Sequence, residues 1–177
     1  MLARLNESIE TKDQELQQLA RDRQYIEQLM TEIVATVGHQ NTFNSDAPFA
    51  ELRGKLPWPA EGQIAHSFGS ERVAGKMKWD GVLIRASEGE PVKAIHHGRV
   101  VFADYLRGHG LLIIVDHGEG YMSLYAHNQT LKKAVGNWVE AGEVIASVGS
   151  SGGQRQAGLY FEIRQHGRPT NPGTWCG

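Results

Sequence analysis

The chain has 177 residues, of which 40% are hydrophobic and 21 are glycine, and its formal net charge is -2. This length allows one compact domain with an appendage, but hardly two full domains. The near-neutral charge and the absence of any Lys/Arg cluster disfavour nucleic acid and anionic membranes as partners.

Residues 1–37 predict one long helix. Spacings of three and four run without a slip through Leu2, Leu5, Ile9, Lys12, Leu16, Leu19, Arg23, Ile26, Met30, Ile33 and Val37, which is the seam of a coiled coil. Only Lys12 and Arg23 in this seam are not apolar, and no Gly or Pro occurs before Gly38. Two interpretations stay open: a seam that binds a partner helix, or an amphipathic helix packed on the domain or on another helix.

Residues 38–56 predict a linker that contains a short regulatory helix. The segment begins as a polar, turn-rich stretch, and Ser45 or Asp46 could cap a helix with Pro48 in its first turn. Its apolar face would carry Phe49 and Leu52 and must dock on the neighbouring domain.

Residues 57–177 predict an all-β antiparallel domain, because after Gly62 the hydrophobic pattern changes to period 2. Glycine-bearing turns separate the predicted strands, and Asp116–Tyr121 joins two of them in a hairpin. The predicted strands are Gln63–Ser67, Gly81–Arg85, Pro91–Ala94, Arg99–Tyr105, Leu111–His117, Tyr121–His127, Val144–Val148 and Leu159–Gln165. The chain is therefore expected to be of the α+β class, with the long helix preceding the β domain.

The last of these strands should divide its side chains between two environments. Alternation places Leu159, Phe161 and Ile163 on one face, which we expect to be core. Tyr160, Glu162 and Arg164 lie on the other face, available for function. Ahead of the strand, residues 149–154 form a small-residue loop that lets a backbone, a ligand or a partner come close.

An ordered set of short motifs connects this domain to a known family. The motifs include "SEGEPVKA" from Ser87, "GRVVFA" from Gly98, "SLYAH" ending at His127, and the stretch from Gly149 to Glu162. Together they resemble the LytM-type, lysostaphin-like zinc endopeptidase domain over roughly residues 58–175. With the long helix in front, the chain is most similar to the branch of that family that activates cell-division amidases.

The resemblance implies that the zinc site of this family is degenerate here. Active members bind zinc through an H-x-G-x-D motif and an H-x-H strand motif, and a tetrahedral zinc needs three protein ligands. The three ligand positions are occupied by Trp79, Leu83 and Tyr160, and Gly158 stands where a catalytic His belongs. Only His127 of the catalytic apparatus survives, so we expect no enzyme activity, no metal and no cofactor.

The remaining histidines and serines do not suggest another active site. His96 and His97 are adjacent on a strand and point to opposite faces, and His117 lies about 20 Å from His127 along the hairpin, in which we place His127 opposite Leu111. His66, His109 and His127 could approach one another, but no acidic spacing supports a site. Ser150 and Ser151 lack a nucleophile elbow, and the single Cys176 is interpreted as an idle thiol.

An apolar cleft floor in place of zinc ligands suits an amphipathic helix. The resemblance implies that a periplasmic N-acetylmuramoyl-L-alanine amidase binds here and is activated in septal peptidoglycan splitting. The implied contact residues are Asp80, Leu83, His109, Leu112, Tyr160 and Arg164, with Asp80 unexpected because a basic or long side chain would be typical there.

The same resemblance implies a role for the N-terminal segment. The coiled coil would be gripped by the FtsEX-type membrane complex at the division site, and the short helix at about 46–55 would occlude the groove until it is withdrawn. We then expect a periplasmic protein whose signal peptide is not part of this sequence, since no run reaches a membrane span and the first residues do not form a signal-peptide core.

Two alternatives are kept for this domain. One is a module that binds peptidoglycan without activating anything. The other is a peptidoglycan endopeptidase with an unusual metal site.

Overall fold

The computed structural model describes residues 2–37 and 48–177, with side chains described from residue 11 onward. Helix α1 spans Leu2–Val37, a short 3₁₀ helix spans Phe49–Leu52, and helix α2 spans Pro172–Trp175 near the end of the chain. The strands between them are β1 Gln63–His66, β2 Glu71–Val73, β3 Met77–Lys78, β4 Val82–Arg85, β5 Pro91–Lys93, β6 Gly98–Leu106, β7 Gly110–Gly118, β8 Tyr121–Leu131, β9 Trp138–Val139, β10 Val144–Val148, β11 Gly158–Gln165 and β12 Arg168–Thr170. The expected class, an antiparallel β domain preceded by a long helix, is confirmed.

One antiparallel sheet of 10 strands forms the body of the domain, in the order β1-β4-β11-β8-β7-β6-β9. Strand β10 joins β8 to β5, strand β12 pairs with β11, and β2 and β3 form a separate ribbon. In the predicted hairpin, Glu119 and Gly120 turn the chain from β7 to β8 with φ of 53° and 87°. Two positive φ values are what a tight two-residue hairpin turn requires, and a glycine accepts this conformation without strain.

The sequence missed four short strands and placed the other eight to within four residues at each end. Strands β2 and β3 have 3 and 2 residues, β9 has 2 and β12 has 3. Such short segments carry too little of the alternating pattern to be distinguished from turns. They matter because the β2–β3 ribbon carries Arg72 and leads directly to Trp79 and Asp80.

Strand β11 lies inside the sheet, between β4 and β8, and its two faces separate two apolar clusters. Leu159, Phe161 and Ile163 are fully buried in the larger cluster, as predicted. Tyr160 belongs to the smaller cluster on the opposite face. That opposite face, expected to be available for function, is also covered: Glu162 is 1% exposed and Arg164 is 0% exposed.

Helix α1 covers this second face. Ile26, Met30 and Ile33 are buried, and they pack in the same cluster as Leu83, Leu112, Ile114, Met122, Leu124, Ala126 and Tyr160. The seam residues nearer the start of α1 are less buried than these three: Lys12 is exposed and Leu16 is only half-buried. From Leu19 onward the predicted seam therefore packs on the chain's own domain, which was one of the two interpretations left open.

The 3₁₀ helix lies on the other side of the sheet. Phe49 is 3% exposed and stacks on His117 and Tyr121, with ring centroids 4.9 and 4.8 Å away. Farther along, Leu56 pairs with Cys176 in a parallel bridge, so this segment closes the domain beside the C-terminus. Positions 45 and 46, predicted to cap the short helix, lie outside the described residues. The apolar face of the segment is thus docked as expected, but in the larger core and not in the groove that it was predicted to occlude.

Within the described residues, neither helix combines the length and the apolar character needed to cross a membrane.

Candidate functional site

The six predicted contact residues meet on the face of the sheet beneath α1, and we call the surface they line the groove. Tyr160 on β11 pairs with Leu83 on β4, so these two side chains stand side by side. Leu112 packs in the same apolar cluster, and the His109 ring lies 5.9 Å from the Tyr160 ring. Asp80 lies between β3 and β4, and Arg164 lies farther along β11, close enough to oppose the rise that burial causes in the pKa of Asp80. The sequence spacing alone spreads these residues over 85 positions, and the sheet brings them together.

The residues at the three positions predicted to have lost zinc ligands also lie together. The Trp79 ring is 6.0 Å from Tyr160 and is held between His66, stacked at 4.7 Å, and the Arg72 guanidinium, 4.1 Å from the ring centroid. An indole and a Leu side chain offer no atom that binds zinc, and burial raises the pKa of the Tyr160 hydroxyl well above its ordinary value. This donor set does not fit a zinc ion.

A buried chain of polar groups runs along β11. The Tyr160 hydroxyl donates to Glu162 at 2.6 Å, and Nε of Arg164 donates to the other carboxylate oxygen of Glu162 at 2.7 Å. Nη1 of Arg164 also donates to the Gly167 carbonyl at 3.0 Å. Although burial alone would lower the pKa of Arg164, the carboxylates of Glu162 and Glu27 raise it, so the guanidinium stays charged. Glu162 and Gly167 thus hold the charged Arg164 guanidinium in place within the domain, and Glu27 of α1 adds a second carboxylate.

His109 and His127 border the groove as neutral side chains. Their rings are nearly parallel with centroids 6.4 Å apart, and burial lowers the pKa of each to about 4. Nδ1 of His127 lies 2.8 Å from the Ser151 carbonyl, which can only accept, so this nitrogen carries the proton. Among the described residues, neither histidine forms an ion pair with a carboxylate, although Asp22 of α1 opposes the lowering of the His109 pKa.

The predicted register at His127 was wrong by one residue. Leu111 pairs with Asn128, because a β-bulge interrupts the β7–β8 ladder between Leu111 and Ile113. His127 adopts φ of 64°, a left-handed conformation that the bulge imposes. Simple alternation cannot anticipate such an inserted residue, and the bulge is what turns the His127 ring toward Tyr160.

The small-residue loop at 149–154 supports the groove from within. Oγ of Ser151 accepts from the Leu111 amide at 3.0 Å and donates to the Asn128 carbonyl at 2.7 Å. A Cβ added at Gly152 would approach the Gly110 amide nitrogen to 2.5 Å, so the two backbones touch. Glycine is used here for internal packing, and Ser151 is a structural side chain.

Helix α1 places a basic residue against Asp80 and an acidic residue against Arg164. Nε of Arg23 lies 2.9 Å from Oδ2 of Asp80, and its Nη2 donates to the Lys78 carbonyl at 2.7 Å. One turn later, Oε1 of Glu27 lies 2.8 Å from Nη1 of Arg164. Burial raises the pKa of Asp80, and Arg23 opposes that rise. The acidic side chain that looked out of place from the sequence has its basic partner on α1.

The contact between α1 and the groove is close. The cavity left between them, bordered by Asp22, Arg72 and His127 among others, has a volume of about 20 Å³. That is room for about one water molecule. Among the described residues, no three His, Cys, Asp or Glu side chains lie close enough together to hold a metal ion.

The comparisons with known proteins agree with this architecture. Residues 77–172, more than half of the chain, match the model described as peptidase family M23. The chain belongs to peptidase family M23. A solved relative, titled a putative peptidase M23 from Pseudomonas aeruginosa, superposes with a TM-score of 0.69 over 87% of this chain and 61% of that one, at 21% identity. At this identity the likeness shows the shared M23 fold alone.

Two curated relatives of this M23 chain carry functional names. The murein hydrolase activator EnvC of Escherichia coli (strain K12) is 51% identical over 125 residues, which are 71% of this chain and 30% of that protein. The murein hydrolase activator NlpD of Salmonella dublin is 36% identical over 141 residues, which are 79% of this chain and 35% of that protein. The chain therefore spans about a third of the length of these relatives.

Three charged residues that shape the site were not among those predicted to bind. Arg23 and Glu27 belong to α1, and Arg72 belongs to a ribbon that the sequence did not reveal. A signal existed for Arg23, since it is one of only two charged positions in an otherwise apolar seam. A charge in a seam that packs against a domain needs a partner of opposite charge, and the half-buried Asp80 supplies it.

Proposed function

We propose that this M23 chain is a non-enzymatic activator of periplasmic N-acetylmuramoyl-L-alanine amidases that split septal peptidoglycan during cell division. Two relatives whose names describe murein hydrolase activators support the activator role. The observation that carries the proposal is that a helix fills the groove where M23 peptidases would bind zinc. A surface that accepts one amphipathic helix can accept another of similar shape from a partner.

The lack of peptidase activity follows from the side chains at the ligand positions. Trp79 and Leu83 cannot ligate a metal, and the Tyr160 hydroxyl is committed to Glu162 at 2.6 Å. Catalysis in the complex would then belong to the amidase.

Helix α1 would act as the autoinhibitory element. It is part of the same chain as the groove, so its effective concentration is high, on the order of millimolar for a short linker. A partner helix has to compete with that concentration until α1 is withdrawn. The side chains of residues 11–18 are exposed or half-exposed, and we propose that an FtsEX-type membrane complex pulls on this part of the helix.

The test compares the whole chain with a chain that starts at residue 48, using a purified amidase and dye-labelled peptidoglycan. The cut belongs after residue 47, because Phe49 and Leu56 are 3% and 1% exposed and contribute to the larger core. We expect the shortened chain to stimulate dye release more strongly than the whole chain. Equal stimulation by the two would contradict autoinhibition, and no stimulation by either would contradict the activator role.

Two controls separate the alternative functions. Dye release by the chain without an amidase would indicate an endopeptidase. Co-sedimentation with peptidoglycan, without any change in the amidase rate, would indicate a wall-binding module.

A further inference from the structure

The two ion pairs between α1 and the domain fix which charges a helix in the groove must carry. Arg23 meets Asp80 at 2.9 Å, and Glu27 meets Arg164 at 2.8 Å. The two helix residues are four positions apart, one turn of helix and about 6 Å along its axis. The domain therefore presents Asp80 and Arg164 to the helix one helical turn apart, with the Arg72 guanidinium near Asp80 and the Glu162 carboxylate paired with Arg164.

These charges belong to the domain and stay in place when the helix leaves. Arg164 is held on β11 by Glu162 at 2.7 Å and by the Gly167 carbonyl at 3.0 Å. Asp80 is fixed by the short connection between β3 and β4, next to the stacked Trp79 ring. Any helix that enters the groove meets the same two charges at the same separation.

The order of the two charges sets the direction of the helix. Read from N- to C-terminus, α1 presents its base to Asp80 and then its acid to Arg164. A helix with the acid first, in the same orientation, would put a carboxylate against Asp80 and a cation against buried Arg164. Like charges at such a contact are strongly unfavourable, since Arg164 is fully buried and cannot turn to water.

The apolar contacts fix the register around the charges. Ile26 and Met30 are 2% and 1% exposed and lie three and seven positions after Arg23. Asp22, just before the base, sits over Gly108, where an added Cβ would overlap the Asp22 carboxyl group. The Asp22 side chain thus packs directly on Gly108, and a bulky branched residue at the position of Asp22 would not fit.

We infer that the partner helix that replaces α1 carries a basic residue, an apolar residue three positions later, an acidic residue four positions later and a second apolar residue seven positions later. This inference rests on the proposed function, since it takes the partner to be a helix of the amidase. Helix α1 is then a copy, within the chain, of the feature that the partner presents.

The test uses labelled synthetic peptides of residues 15–37 and the full-length chain in which Ile26→Asp and Met30→Asp release its own helix. One peptide has the native sequence. The matched control exchanges the two charges, Arg23→Glu with Glu27→Arg, and so keeps composition, net charge and apolar face. We expect the control peptide to bind about tenfold or more weakly by fluorescence anisotropy. A peptide with Arg23→Glu alone should regain affinity when the chain carries Asp80→Arg.

A second arm leaves the chain's own helix docked. With the charge exchange made in the full-length chain, hydrogen exchange of α1 amides between residues 19 and 33 should accelerate about tenfold or more. Equal binding of the two peptides, or unchanged exchange, would show that the groove reads only apolar shape and would overturn the inference.

The third arm uses purified amidases from the same organism. Those that the released chain stimulates should contain a helix with the stated pattern, and reversing its basic residue should abolish stimulation until Asp80→Arg restores it. A stimulated amidase without such a helix would overturn the inference. If no amidase is stimulated, the proposed function is wrong. The peptide measurements would still show whether binding in the groove depends on the order of the basic and acidic residues.

Discussion

The double variant Ile26→Ala with Met30→Ala, which truncates two buried side chains of α1, should switch the chain into the proposed stimulating state. Ile26 and Met30 are 2% and 1% exposed, and both pack on the groove. Truncating a buried Ile or Met to Ala costs about 2–5 kcal/mol. These costs fall on the docking of the helix and not on the larger core, which lies on the other face of the sheet.

The double variant should therefore lose at least about 4 kcal/mol of docking free energy. A factor of ten corresponds to about 1.4 kcal/mol, so the docking equilibrium would move by roughly a thousandfold. A chain that is docked 99% of the time would then spend most of its time open.

Two assays on the same protein test this chain of reasoning. Hydrogen exchange reports whether α1 is released, and dye release from labelled peptidoglycan reports amidase stimulation. The matched control is Gln24→Ala with Gln28→Ala, two exposed positions on the same helix, which should change neither readout. If α1 exchanged freely in the double variant while stimulation stayed at the level of the control, the helix would not be the inhibitory element. If exchange were unchanged, the helix would not be held by these side chains.

Three further predictions concern the domain itself. Arg164→Ala should destabilise the fold by about 3–5 kcal/mol in urea unfolding, because it leaves the Glu162 carboxylate buried without its cation, and Glu162→Gln in the same chain should recover part of the loss. Burial lowers the pKa of His117 to about 3, so between about pH 6.5 and 3 the unfolded chain binds the proton that the folded chain refuses. His117 should thus lower the free energy of unfolding by about 1.7 kcal/mol from pH 6.5 to 5, in addition to the falls that His109 and His127 cause, and His117→Gln should reduce the slope by that amount. Gly108→Ala should release α1 in hydrogen exchange, because its Cβ would overlap Asp22 and its φ of 88° is strained for any side chain, and an unchanged exchange rate would refute the close approach of the helix at this point.

The strand framework was accessible from the sequence because its core face repeats at period 2. Leu159, Phe161 and Ile163 alternate with polar or amphipathic neighbours, and that pattern has one structural solution when one face is buried. The hairpin at residues 119 and 120 was also accessible, since turn chemistry is local. What could not be read is the β-bulge near His127, because an inserted residue leaves no trace in composition or period.

The sequence of α1 does not determine whether its apolar seam packs on a partner helix or covers the groove. A heptad seam is compatible with a partner helix and with any flat apolar surface, and the sequence of α1 is the same in both cases. The prediction favoured the short segment near Phe49 as the blocking element because it is nearest the domain along the chain. Distance along the chain was a poor guide here: the stack of Phe49 on His117 and Tyr121 holds that segment in the larger core.

Asp80 joins the two parts of the site. With α1 docked, the Asp80 carboxylate is half-buried at the edge of an apolar groove, and burial raises its pKa. Considered with α1, it is the partner of Arg23, the one basic residue of the seam that lies on the groove. In the proposed exchange of helices, a second helix with a basic residue at the position of Arg23 would offset the same cost of burying the Asp80 carboxylate. Under the proposed function, Asp80 loses the ion pair with Arg23 when α1 leaves, whereas Arg164 keeps its bonds to Glu162 and Gly167, so Asp80 favours a second helix that carries a base.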